Sequence, residues 1–72
     1  MTLSEIEVGN WFVYRGKIYS KGNGVIMALG QFLVNCEILG ELCEGGVDWC
    51  EDYDSAYIPQ YAEVRLYEEV YR

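Results

Sequence analysis

The chain has 72 residues, of which 51% are hydrophobic and 15% aromatic, and its twelve acidic and five basic side chains give a net charge of −7. A chain of this length forms a single domain, residues 1–72, and hides only about 60% of the surface that its unfolded form exposes, so its core must be dense in large side chains. The negative charge argues against direct binding to nucleic acid or to an anionic membrane, because Lys and Arg hold those partners.

The first residues predict one short helical turn. Thr2 and Glu5 have the spacing of a capping box, in which each side chain satisfies an amide at the start of a helix. Leu3 and Ile6 would form the apolar face of this turn, and Gly9 would end it. We therefore expect the N-terminal segment to act as a lid on the core.

The N-terminus and the apolar segments indicate a cytosolic protein. Residues 1–10 contain neither the basic region nor the apolar region of a secretory signal. The longest apolar run, residues 25–34, is interrupted by polar and glycine residues and is too short for the ~20 residues that span a bilayer.

A β-hairpin is the clearest local prediction. Residues 11–15 and 17–19 are rich in β-prone side chains, and a tight turn at Arg15 and Gly16 separates them. Glycine tolerates the positive φ that two-residue hairpin loops require. A second turn is predicted at residues 21–24, which contain two glycines.

The rest of the chain predicts further short strands. A short apolar segment (residues 25–29) and a break at Gly30 and Gln31 come first. Residues 32–39 read as a strand with Cys36 and Ile38 on one face, and both faces are expected to be partly covered. Gly40 and Gly45-Gly46 are expected to bracket a loop, and residues 47–50 to form a strand. Residues 51–60 contain Pro59 and are expected to be irregular. A closing strand is expected at residues 62–71, with Val64 and Leu66 pointing inward.

This pattern predicts a mainly β fold with one short N-terminal helical turn. Five or six short strands with turn signals every 8–12 residues are typical of a small barrel. The specific expectation is a five- or six-stranded antiparallel barrel of the SH3-like type.

The opening of the chain resembles small phage-encoded domains. Residues 3–19, LSEIEVGNWFVYRGKIY, lead to a glycine, continue into an aromatic strand and end in Gly16-Lys17-Ile18-Tyr19. Domains with this opening form SH3-like barrels. The resemblance therefore implies a bacteriophage origin and, for such a protein, action in the host bacterial cytoplasm.

A second segment is similar to the closing signature of SH3 domains. Residues 56–64, AYIPQYAEV, carry a proline and a tyrosine that in that family help to line a groove for proline-rich peptides. The resemblance implies Pro59 and Tyr61 as groove residues, with Trp49 as the candidate indole. The opening Ala-Leu-Tyr-Asp-Tyr of that family is absent from this chain.

Catalytic and metal chemistry is poorly supported. The chain has no histidine, which is the commonest general base and metal ligand. Cys36, Cys43 and Cys50 recur every seven residues instead of in the close pairs of a zinc site, and they are expected to be reduced, structural thiols. The acids at 48–54 lack the spacing of an EF-hand loop. We expect no enzyme activity, no metal and no cofactor.

Acidic and aromatic residues concentrate in the second half of the chain. Carboxylates two apart on a strand point the same way at about 6.6–6.8 Å and can present a row of charge like a nucleic-acid backbone. Aromatic side chains among them could anchor on a partner. The candidate partner-binding residues are Glu41, Glu44, Asp48, Trp49, Glu51, Asp52, Tyr53, Asp54 and Tyr57.

These features predict a nucleic-acid mimic. It would bind a basic host protein, specifically a nucleic-acid-handling defence enzyme, and inhibit it, as an anti-CRISPR or other anti-defence protein does. Three alternatives stay open. The first is that the acids serve only solubility. The second is a peptide-binding adaptor, and the third is a structural phage component that self-associates, for example as a homodimer.

Overall fold

The computed structural model describes residues 1–26 and 33–70 as a mainly β fold, which confirms the predicted fold class. The strands are β1 (Trp11–Tyr14), β2 (Lys17–Ile26), β3 (Leu33–Cys43), β4 (Gly46–Ala56) and β5 (Arg65–Leu66). They form an antiparallel sheet in the order β4-β3-β2-β1-β5. A 3₁₀ turn, Leu3–Glu5, precedes the sheet, and one helical turn, α1 (Tyr67–Val70), follows it. This arrangement is consistent with a small SH3-like barrel.

The main core lies under the N-terminal 3₁₀ turn. Leu3 of this turn is fully buried, and Ile6 directly after it is buried as well. Phe12 and Tyr19 stack face to face below them, with ring centroids 5.4 Å apart. The cluster is completed by Cys36, Ile58, Ala62 and Val64. The turn thus covers apolar side chains, as predicted for a lid.

Charged side chains hold both ends of the 3₁₀ turn. The Thr2 N–H donates to Glu5 Oε1 at 3.0 Å, and this hydrogen bond lowers the pKa of the Glu5 carboxyl. At the other end, Lys21 Nζ donates to the carbonyls of Leu3 (2.9 Å) and Ile6 (2.5 Å). Carbonyl groups at the end of a helical turn attract cations. Lys21 is therefore committed to the fold and contributes little free positive charge.

The β1–β2 hairpin forms where the sequence predicts it. Tyr14 pairs with Lys17, and the two loop residues between them have positive φ, 50° at Arg15 and 79° at Gly16. Positive φ at both loop positions gives the turn a twist that matches the strands it joins.

The turn predicted at residues 21–24 is wrong. β2 runs through these residues to Ile26, and the sheet absorbs them as a bulge, because Lys21 pairs with Cys36 while Val25 pairs with Val34. Glycine-rich runs are as compatible with a bulge as with a turn. Most of the apolar segment at 25–29, and the break predicted at Gly30 and Gln31, lie outside the described residues.

The loop predicted from Gly40 is also wrong. β3 continues through Gly40 to Cys43, the chain turns at Glu44 and Gly45, and β4 then runs from Gly46 to Ala56. A Cβ at Gly40 would lie 2.9 Å from the Asp48 carbonyl oxygen and 3.2 Å from the Cα of Trp49. Here the glycine permits close approach of two strands, and it does not mark a turn.

The chain after β4 is partly as predicted. Residues 51–56 belong to β4 instead of an irregular stretch, whereas Pro59 lies outside the strands. Val64 is buried and Leu66 packs against the core, as expected. The closing strand, however, is only Arg65–Leu66, and α1 follows because its glutamates favour a helical turn.

Candidate functional site

The acidic residues selected from the sequence lie on the β3–β4 hairpin. Glu41 pairs directly with Asp48, and Glu44 lies in the turn. β4 bulges between Trp49, which pairs with Gly40, and Asp54, which pairs with Ile38. Six carboxylates at and near the turn define the acidic hairpin and are all exposed: Glu41, Glu44, Asp48, Glu51, Asp52 and Asp54. Glu37, farther from the turn on β3, is exposed as well.

The register places like charges side by side. Glu41 has Asp48 opposite it on β4 and Lys17 opposite it on β2. Directly opposed like charges destabilise an antiparallel pair, and Lys17 offsets part of this cost. The stability of the sheet therefore does not require so many carboxylates at these positions.

Three aromatic side chains from distant parts of the chain form an aromatic cluster: Trp11, Trp49 and Tyr67. The Trp11 and Trp49 ring centroids are 5.7 Å apart, and the Trp11 and Tyr67 centroids are 5.5 Å apart with planes at 69°. The ring centroids of Trp49 and Tyr67 are 6.3 Å apart. The indoles of Trp11 and Trp49 remain 43% and 47% exposed. Exposed indoles in mutual contact are typical of binding surfaces.

Sequence reasoning found Trp49 but missed Trp11 and Tyr67. Side-chain alternation in β1 could have identified Trp11. Trp11 precedes the fully buried Phe12, so the two side chains point to opposite faces of the strand. Nothing in the sequence indicates that this face meets β4 and α1.

A cleft of ≈ 250 Å³ adjoins the aromatic cluster. It lies between the chain before β1 and the chain around α1, and its lining combines two aromatic rings with an amide and a carboxylate. The lining residues are Gly9, Asn10, Trp11, Leu66, Tyr67 and Glu68.

The other predicted binding residues lie at and after the end of β4. Tyr53 belongs to the bulged part of β4, and Tyr57 follows the strand with its ring exposed. Tyr61 is 82% exposed, and Pro59 is half-buried. Trp49, which was predicted to line a peptide groove with Pro59 and Tyr61, packs against Trp11 and Tyr67.

Asn35 positions this segment and was not selected from the sequence. It is 8% exposed, and its amide makes two hydrogen bonds with the main chain of Ile58. Nδ2 donates to the Ile58 carbonyl at 2.7 Å, and the Ile58 N–H donates to Oδ1 at 2.9 Å. One side chain thus replaces a strand partner and fixes the chain beside Tyr57 and Pro59. The signal was a single amide between the apolar residues Val34 and Cys36.

The three thiols have different surroundings. Cys36 is buried, and burial raises the pKa of its thiol to about 11, whereas Cys43 is exposed and Cys50 is half-buried. Within residues 1–26 and 33–70, no three His, Cys, Asp or Glu side chains are placed to hold a metal ion.

We expect the thiols to react in the order of their exposure. At pH 8 only about a thousandth of Cys36 is thiolate, and the thiolate is the reactive form. Native protein treated with a chromogenic disulfide reagent should therefore label first at Cys43 and at Cys36 only when denaturant unfolds the chain. Peptide mass mapping assigns each label, and equally fast labelling of Cys36 and Cys43 would contradict the burial of Cys36.

Comparison with known proteins adds no assignment. No protein family, curated protein or solved structure matches the chain. In the part of the chain that the structure describes, no helix is long and apolar enough to cross a membrane. The candidate functional site consists of the acidic hairpin, the aromatic cluster and the adjoining cleft.

Proposed function

We propose that this domain binds the basic surface of a nucleic-acid-handling protein and inhibits that protein by occupying the surface. The observation that carries the proposal is the acidic hairpin, which exposes five carboxylates on β3 and β4 and a sixth, Glu44, in the turn between them. The sequence has no Lys or Arg between Lys21 and Arg65, so nothing within the hairpin neutralises this charge.

Pairing of the strands is what suits the hairpin to mimicry. Alternate side chains on a strand repeat every 6.6–6.8 Å or so, and directly opposed ones lie about 4.5–5.5 Å apart at Cβ. Glu41, Asp48 and Asp54 stand at paired positions, so their backbone is ordered before binding and only their side chains must be immobilised. Their combined field would also accelerate the encounter with a basic partner.

Trp49 supplies an apolar anchor within the same hairpin. It is 47% exposed, and because it directly follows Asp48 on β4 its ring lies on the opposite face of the strand from the Glu41–Asp48 pair. Aromatic side chains surrounded by polar groups commonly dominate the energy of protein interfaces. The combination fits a phage-encoded inhibitor of a defence nuclease, such as an anti-CRISPR protein, acting in the host bacterial cytoplasm.

The test compares two variants of equal net charge. One replaces two acids of the hairpin (Asp48→Asn, Glu51→Gln), and the control replaces two exposed acids outside β3 and β4 (Glu7→Gln, Glu63→Gln). Tagged domains are incubated with nuclease-treated bacterial lysate over a salt series, and bound proteins are identified by mass spectrometry. The captured protein is then purified for affinity measurements and for competition with its nucleic acid.

We expect wild-type domain and control variant to capture the same basic protein, to release it at moderate salt and to compete with its nucleic acid. The hairpin variant should bind that protein about 10- to 100-fold more weakly at low salt. If both variants lost the same amount of affinity, net charge alone would account for binding. Unchanged binding by the hairpin variant would exclude the hairpin as the binding surface.

The aromatic cluster favours one alternative, a peptide-binding module. Such a module would depend on Trp49 more than on the acids, so Trp49→Ala would abolish capture while the hairpin variant kept it. Self-association is tested in the same preparation by light scattering, since β4 is the last of the described strands in the sheet order and would offer an edge to a second copy.

A further inference from the structure

We propose that the cleft beside the aromatic cluster binds an arginine side chain of the partner protein, with the guanidinium against the aromatic rings and paired with the Glu68 carboxylate. This inference rests on the proposed function, because it names the side chain that a basic partner would insert.

The dimensions of the cleft fit one side chain. Its volume of ≈ 250 Å³ is below the range of about 300–1,000 Å³ that is usual for sites holding a whole small molecule. Gly9 forms one wall of the cleft with its main chain alone. An added Cβ at Gly9 would meet no atom within 4 Å, so the space beside this wall is open. An elongated side chain can therefore enter from the partner without displacing side chains at this wall.

The aromatic walls suit a flat cation. The Trp11 and Tyr67 planes stand at 69° to each other, and Trp11 keeps 43% of its surface exposed. A cation within about 6 Å of a ring centroid is attracted by the negative face of the ring. The same contact already occurs within the chain, where Arg15 Cζ lies 5.2 Å from the centroid of the Tyr14 ring.

The charge around the cleft selects a cation. Glu68 contributes an exposed carboxylate and Asn10 an exposed amide, and none of the six lining residues is basic. A net charge of −7 adds long-range attraction for cations and repulsion for phosphates. A nucleotide base stacked on Trp11 would carry its phosphate into this field.

The shape of the site favours arginine over lysine. A guanidinium is planar, stacks on aromatic faces and presents a fork of N–H donors that matches a carboxylate. It also sheds water more readily than an ammonium group. Glu68 and the Trp11 ring together offer both kinds of contact.

The experiment titrates isotope-labelled full-length domain with three capped tripeptides, Gly-Arg-Gly, Gly-Lys-Gly and Gly-citrulline-Gly. Citrulline keeps the planar shape of arginine without its charge. The chain has two tryptophans, so two indole N–H signals report on Trp11 and Trp49, and a Trp49→Phe variant assigns them. We expect the arginine peptide to shift the Trp11 signal saturably with a dissociation constant of about 1–10 mM. Lysine should bind about 2- to 5-fold more weakly and citrulline at least about fivefold more weakly.

Matched variants test the named residues. Glu68→Gln should weaken arginine binding about 3- to 10-fold, whereas Glu63→Gln, an exposed acid that faces the N-terminus instead of the cleft, should not change it. Trp11→Leu keeps an apolar side chain but removes the ring, and it should abolish the preference for arginine. Unchanged amide signals from the core show that each variant is folded.

Four results would overturn the inference: no saturable shift with the arginine peptide, equal binding of the citrulline peptide, shifts centred on Trp49 instead of Trp11, or equal affinities of Glu68→Gln and Glu63→Gln. The titration needs no partner protein, so it separates the two proposals. Partner capture that survives Glu68→Gln and Trp11→Leu but not the hairpin substitutions overturns the arginine site alone. A domain that binds the arginine peptide but captures no basic nucleic-acid-binding protein overturns the function proposed above.

Discussion

Replacing Asn35 by leucine is expected to lower the free energy of unfolding by about 2–4 kcal/mol. Leucine has a similar shape but offers no polar atoms, so the Ile58 N–H and carbonyl would both lose the hydrogen bonds that Asn35 provides. Each buried polar group left unpaired costs about 1–3 kcal/mol, and the added apolar burial returns part of that. Urea unfolding followed by tryptophan fluorescence measures the change.

A second substitution at the same position identifies the cause. Asn35→Asp keeps the acceptor for the Ile58 N–H but places a carboxylate oxygen against the Ile58 carbonyl. Burial and this repulsion would raise the native pKa of the new carboxyl above its unfolded value. The native state would then bind the proton more tightly, so the stability deficit should shrink as the pH falls from 7 towards 4.

Asn23→Leu, which changes an exposed asparagine, serves as the control and should cost little. If Asn35→Leu cost less than about 1 kcal/mol, or if the deficit of Asn35→Asp did not depend on pH, the paired hydrogen bonds to Ile58 would not hold this segment.

Replacing Gly40 by alanine is the second change with a large expected effect, a loss of about 1–3 kcal/mol. The new methyl carbon would lie 2.9 Å from the Asp48 carbonyl oxygen, 3.1 Å from a Val47 methyl and 3.2 Å from the Trp49 Cα. Two of these neighbours are backbone atoms of β4, which cannot rotate away. β4 would therefore have to move, and Trp49 would shift relative to Trp11.

Gly22→Ala provides the matched control. Its added Cβ would meet the Asn35 carbonyl oxygen at 3.5 Å, an ordinary contact, so we expect a change of less than about 1 kcal/mol. The measurement is again urea unfolding, with the near-ultraviolet circular dichroism of the coupled indoles as a reporter of the aromatic cluster. Similar stabilities of the two alanine variants would mean that β3 and β4 do not approach as closely at Gly40 as the structure shows.

These two positions also connect the fold to the proposed function. Gly40 sets the separation of the strands that carry the acidic hairpin, and Asn35 holds the chain that carries Tyr57. Because the two substitutions act at different points along β3, their effects on partner binding can be compared. A loss of affinity with Gly40→Ala but not with Asn35→Leu would place the binding surface on the hairpin.

Some of this architecture follows from local sequence alone. The hairpin at Arg15 and Gly16, the N-terminal turn with Glu5 and the inward position of Val64 each depend on neighbouring residues, whose backbone preferences and side-chain alternation can be read directly. The concentration of acids between residues 41 and 54 can likewise be read from the sequence. The pattern of short strands and turns also predicts the mainly β fold.

Tertiary structure decided what local preferences leave open. Glycine permits a turn, a bulge or close packing of strands, and only the neighbouring strand shows that Gly40 serves close packing and that residues 21–24 form a bulge. The loop predicted from Gly40 is consequently part of a paired hairpin. Trp11 and Tyr67 join Trp49 because the sheet brings β1, β4 and α1 together. Such long-range contacts depend on how the strands curve and stack, which no short stretch of the sequence encodes.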